Sequence, residues 1–140
     1  MVFKSEAVRE RLKRLEEVIA RLSAYRGTTS EEFLDDVERQ WVVERGFILA
    51  AECVADVAGH ILSGKFKVQP VDQEDAVRGL GNQRVISESL AKRLRGFGGF
   101  RNILVHEYLR IDPSRVHEYL ENELGSLEQF VAEVTAWLGR

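Results

Sequence analysis

The chain has 140 residues, 44% hydrophobic and 31% charged, which is the balance of a folded globular domain and excludes a disordered one. A formal net charge of −3 argues against a general electrostatic binder of nucleic acid, and a single cysteine excludes an internal disulfide or a cysteine-built zinc site. No run reaches the ~18 consecutive apolar residues of a membrane span, and the N-terminus has no signal-peptide core, so one cytoplasmic domain over residues 1–140 is expected.

The first element repeats apolar residues at Val8, Leu12, Leu15, Ile19 and Leu22, one face of a helix over about 5–25. Arg26-Gly27 ends it. Thr29 and Glu32 have capping-box spacing, as do Asp35 and Glu38, so a short turn precedes a longer helix that starts near Asp36.

That second long helix carries two apolar stripes. One runs Val43, Phe47, Ala50, Val54, Val57, Ile61, and the other runs through Trp41, Ile48, Ala51, Ala55, Ala58 and Leu62. Two stripes need two packing partners. Cys53, set among alanines and Val54, reads as a small buried hydrophobe. The remaining stripe is polar, with Arg45, Glu52 and Asp56 within about 40° of one another. It suits a solvated face or the wall of a cleft, where an acid could orient a cation or an imidazole. Ser63-Gly64 stops the helix.

Residues 65–86 read as an irregular connection with at most a short helix between Asp72 and Arg78. Ser87 caps a helix to Leu94, which the run Gly96-Phe97-Gly98-Gly99 breaks. A further helix spans about 100–109. Asp112-Pro113 then caps and starts the last helix, whose apolar face runs from Val116 to Leu138 with a bend at Gly125. With no repeat and no strand signal, the expected fold is all-α, an up-and-down bundle of about five helices.

The chemistry concentrates in Arg101, Asn102, His106 and Tyr108, on a helix that is otherwise apolar. Asn102 and His106 are an i,i+4 pair facing one way. Arg101 and Tyr108, seven apart, share a line roughly 140° from His106, so one chain does not by helical geometry alone set Arg101 beside His106. Either the long arginine side chain reaches round, or a symmetric partner completes the site. The apolar surround of this helix, with Ile103, Leu104, Val105 and Leu109, favours a homodimer with a cleft at its interface. Lys92, Arg93, Arg95 and Arg101 can supply a local basic cleft. His60 and His117 read as surface residues, and no ligand spacing around the three histidines makes a metal site.

The segment from Gly98 to Ile111 resembles the defining motif of HEPN domains: Arg, four residues, His, one residue, Tyr, with a polar residue after the Arg. Arg-Asn-x-Leu-Val-His-x-Tyr resembles the HepT-type toxins in particular, as does the layout with Glu44-Arg45 in a long second helix. The resemblance implies an all-α homodimer acting as a metal-independent endoribonuclease, with no cofactor. It implies His106 as general acid or base at the RNA 2′-OH and leaving oxygen, Arg101 as the stabiliser of phosphate charge, and Asn102 as a positioning residue. An unperturbed imidazole titrates near ~6.5, suited to proton transfer at neutral pH. It further implies a minimal nucleotidyltransferase antitoxin as partner, which transfers AMP to the motif tyrosine, here Tyr108. The alternative reading is a non-catalytic nucleotide- or RNA-binding partner subunit of a nucleotidyltransferase. A third is a structural dimerisation subunit.

Overall fold

A computed structural model describes residues 2–140. It is helical throughout: α1 (Ser5–Ser23), α2 (Ser30–Leu34), α3 (Val37–Lys65), α4 (Gln73–Asn82), α5 (Glu88–Arg93), α6 (Phe97–His106), α7 (Pro113–Asn122) and α8 (Leu124–Leu138), with a 3-10 turn at Tyr108–Arg110. The all-α expectation holds, while the number of segments exceeds the five expected. The capping residues act as their chemistry requires. Thr29 and Glu32 form a complete capping box, and the side chains of Asp36, Asp72, Ser87 and Asp112 each accept a backbone N–H at the start of their helix.

Helix α3 is the axis. Val43, Phe47, Ala50, Val54, Val57 and Ile61 are all fully buried, and α3 packs against α1, α4, α6 and α7. Its composition over 18 residues, mean hydropathy 1.4, would suit a membrane span, but half of that window is buried inside the bundle. The second apolar stripe is only partly covered. Ala51, Ala58 and Leu62 are buried, whereas Trp41 at its N-terminal end is exposed.

Three boundaries differ from the sequence expectation. Residues 73–82 form a full helix in spite of Gly79 and Gly81, because Ala76, Val77 and Leu80 are buried and packing outweighs propensity. A Cβ at Gly79 would stand 3.0 Å from Leu62 Cδ1, so this glycine permits α4 to lie close on α3. The last helix is two segments. The break falls at Glu123, not Gly125, where α7, packed on α2 and α3, gives way to α8, packed on α1 and α5.

The third difference touches the motif. Of the glycine run only Gly96 breaks the chain, with φ +89°, a conformation that glycine adopts without strain; Gly98 and Gly99 are already in α6. At its other end α6 stops at His106. Glu107 leaves helical geometry (φ −128°, ψ 51°), and Asp112 is extended ahead of Pro113, as a pre-proline residue must be.

Candidate functional site

Helix α6 is anchored from beneath and open above. Phe97, Phe100 and Leu104 are buried, and the ring of Phe47 on α3 meets Phe97 and Phe100 edge-on, with centroids 6.4 and 5.7 Å away. Phe100 in turn stacks flat on Tyr119 of α7 at 3.8 Å. These aromatic contacts determine the rotation of α6 and hence where its polar side chains emerge.

Arg101 emerges toward α3. Its Nη1 donates to Asn102 Oδ1 at 3.1 Å, and its Nη2 stands 3.9 Å from Glu52 Oε1. The side chain of Arg101 is 29% exposed and that of Glu52 50%, so the pair is worth at most ~1 kcal/mol; its effect is to hold the guanidinium in one direction. Arg101, Asn102 and Glu52 wall a cleft of about 450 Å³ between α3, α6 and the start of α4. Small residues on α3 and α6, Ala51, Ala55, Gly98 and Gly99, leave it open.

The start of α4 adds Gln73, which sequence reasoning missed because it fell in the supposed connection. Its Nε2 is buried in this cleft's wall with no hydrogen-bond partner, and a Cβ on Gly98 would come within 3.0 Å of its Cβ. The only signal for it was the capping residue Asp72 immediately before it.

His106 ends α6, exposed, with no hydrogen bond or ion pair among the described residues. It shares a face with exposed Asn102 one turn earlier, as the i,i+4 spacing required, and it is not among the residues that wall the Arg101 cleft. A single chain therefore does not close Arg101 and His106 around one point. Tyr108 lies beyond the end of α6, on the 3-10 turn, and is 73% exposed. The shared helical line with Arg101 expected from seven-residue spacing does not exist, because the helix ends at His106.

The polar stripe of α3 divides. Glu52 alone reaches α6. Asp56 turns to α1, with its Oδ2 3.9 Å from Arg11 Nε. Arg45, exposed, borders a separate apolar groove with Trp41 and Val42. The local basic cleft does not assemble as expected: Lys92 pairs with Glu88, Arg93 with Gln129, and Arg95 with Glu74, an acid that with Asp72 and Glu52 also walls the Arg101 cleft.

His60 and His117 are not free surface residues. His60 Nε2 accepts the Lys4 backbone N–H at 3.1 Å, and His117 Nε2 bonds the Thr28 carbonyl at 2.7 Å. Burial pushes the Cys53 thiol up, in keeping with an inert core residue. Among the described residues no group of three or more His, Cys, Asp or Glu is placed to hold a metal ion.

Comparison with known proteins places this geometry. The sequence profile of the family described as ribonuclease HepT-like matches residues 11–134. The chain is 27% identical over 131 residues to the tRNA nuclease HepT of Aphanizomenon flos-aquae, spanning 94% of this chain and 89% of that protein. It is 24% identical over 132 residues to the mRNA nuclease HepT of Shewanella oneidensis, spanning 94% and 98%. Among solved structures, the tri-AMPylated Shewanella oneidensis HEPN toxin in complex with its MNT antitoxin superposes with TM-score 0.83 at 25% identity, covering 92% of this chain and 96% of that one. The fold is also that of the cytosolic protein YutE from Bacillus subtilis, with TM-score 0.83 at 19% identity over 99% of this chain and 93% of that one.

Proposed function

From the premise that this chain belongs to the ribonuclease HepT-like family, we propose that it is the toxin of a HEPN/nucleotidyltransferase toxin–antitoxin pair, a cytoplasmic, metal-independent endoribonuclease. The observation that carries this is Arg101, held by Asn102 and Glu52 at an open cleft, on the same short helix that presents His106 without a competing partner.

The reaction these groups suit is internal transfer at an RNA phosphodiester. The 2′ oxygen attacks phosphorus, the O2′–P bond forms, and the P–O5′ bond breaks. An imidazole takes the 2′-OH proton, an imidazolium gives one to the departing 5′ oxygen, and the products are a 2′,3′-cyclic phosphate and a 5′-OH. Charge gathers on the phosphate oxygens in between, where the Arg101 guanidinium, aimed beforehand by its two partners, stabilises it without having to reorganise.

One His106 serves one of the two proton transfers at a time. A homodimer supplies the second imidazole and brings both motif helices to one cleft. Exposed Val105 and Leu109 beside His106 are the apolar surface that such a contact would cover. The partner in this reading is a minimal nucleotidyltransferase that transfers AMP to Tyr108, whose exposed position suits approach by a second enzyme. Each AMP added there brings a phosphate to the end of α6, two residues from His106, and would obstruct access to it.

The test incubates the protein with its cognate nucleotidyltransferase, ATP and magnesium, then maps mass increments. AMP should map to Tyr108, the modified protein should be inactive, and Tyr108→Phe should escape modification at that position. Modification that leaves Tyr108 untouched would remove it from the scheme.

A further inference from the structure

A second cavity lies on the opposite flank of α6, between that helix, the 3-10 turn and α7. Its volume is about 400 Å³, within the range of small-ligand sites. The floor is apolar: buried Phe100, Leu104 and Val116, with half-buried Ile103, Ile111 and Tyr119. The rim is polar. Glu107, Arg110, Asp112, Arg115 and Asn102 line it.

Two features decide what such a cavity can hold. First, its charge is balanced, two guanidiniums against two carboxylates, with Arg110 paired to Glu107 at 2.6 Å and Arg115 lying over the Tyr119 ring at 5.7 Å. An apolar floor with both donors and acceptors at its edge fits a neutral, flat, hydrogen-bonding ring. Second, Asn102 walls both this cavity and the Arg101 cleft. Whatever fills one lies a side chain's width from the other. Along α6, Gly99, Asn102, Ile103 and Glu107 face the cavity, which is the helical line on which His106 also falls.

We propose that this cavity is a nucleobase subsite, which seats a base of single-stranded RNA next to the phosphate held at Arg101. The inference rests on the ribonuclease reading above and adds a source of sequence preference to it. The strand crosses α6 at Asn102, with its reacting phosphate toward α3 and a neighbouring base turned into the cavity. Base choice is then set by the rim groups Glu107, half-buried, and Arg110, exposed, which lie outside the acid–base machinery.

The test uses a series of short oligoribonucleotides that differ in one base at a time, together with a 2′-O-methyl version that cannot be cleaved because its 2′-OH is blocked. Wild type should cleave with a preference at one position beside the cut. Ile111→Trp, which fills the cavity from its floor, should weaken binding of the blocked oligonucleotide on the order of 10-fold, the worth of one base contact, and raise KM more than it lowers kcat. Glu107→Gln, which removes one charge from the rim, should change the order of preference among the oligonucleotides. If wild type cleaves RNA and both variants match it in affinity and preference, the subsite is wrong and the ribonuclease reading stands. If wild type neither binds nor cleaves any of these RNAs, both fall.

Discussion

Helices α3 and α6 pack on each other and share the aromatic cluster around Phe47, yet they are built on opposite principles. Helix α3 is 29 residues long, and the stripe from Val43 to Ile61 is fully buried, so its position is determined by apolar contacts along its whole length. Helix α6 has ten residues, begins at a positive-φ glycine and ends in a non-helical Glu107; three buried side chains hold it and the others face outward. The frame is thus over-determined, whereas the site helix is held by a few contacts and turns its polar groups outward. That difference suits an active centre: the frame aims Arg101 through Glu52 and leaves His106 without a competing partner.

Phe47→Ala should break the comparison most severely, because this residue belongs to both regions. It is fully buried against Phe97, Phe100 and Tyr119, so truncation should cost about 3–5 kcal/mol of stability. Activity should fall with it even at temperatures where the variant remains folded, since α6 loses the contact that determines its rotation. Denaturant titration and cleavage assays on the same samples check both parts.

Glu52→Gln separates the regions more gently. Glu52 belongs to the frame helix, but its carboxylate points at Arg101. An exposed pair contributes no more than ~1 kcal/mol, so the loss in kcat should be at most about 5-fold, with KM and melting temperature nearly unchanged. A change confined to the melting temperature would make Glu52 a structural residue only.

The smallest effect is expected at Glu44, on the frame alone. Burial raises its carboxyl above the usual carboxylate range. The neutral form is therefore favoured in the folded state: the stability this group contributes is complete below its unfolded pKa and is lost as pH rises through the raised folded value. Glu44→Gln should raise the melting temperature at pH 7 by less than ~4 °C and leave it unchanged below about pH 4, with cleavage unaffected.

The same contrast governs how much was legible in the sequence. The buried stripe of α3, the capping box at Thr29 and Glu32, and the proline start at Pro113 obey local rules, and the structure follows them. The identities of Arg101, Asn102, His106 and Tyr108 came from spacing and resemblance; α6 presents the first three, and Tyr108 stands on the 3-10 turn beyond it. What local rules could not supply was tertiary. Gly79 and Gly81 are poor helix formers, yet burial of Leu80 and Val77 keeps α4 helical. The supposed connection therefore hid Gln73, and the end of α6 at His106 undid the line drawn from Arg101 to Tyr108. Of the polar stripe, packing sent only Glu52 to the cleft, because Asp56 faces Arg11 on α1.

The central claim is that Arg101 and His106 cleave RNA without a metal, and one assay tests it directly: cleavage of RNA in excess EDTA by wild type, Arg101→Ala and His106→Ala, each shown to be folded. Wild type should cleave and leave a 2′,3′-cyclic phosphate. Both variants should lose on the order of 10²-fold or more in rate, as expected for removal of an acid–base group or a phosphate-stabilising cation. Cleavage that disappears with EDTA, or that persists in His106→Ala, would contradict the account.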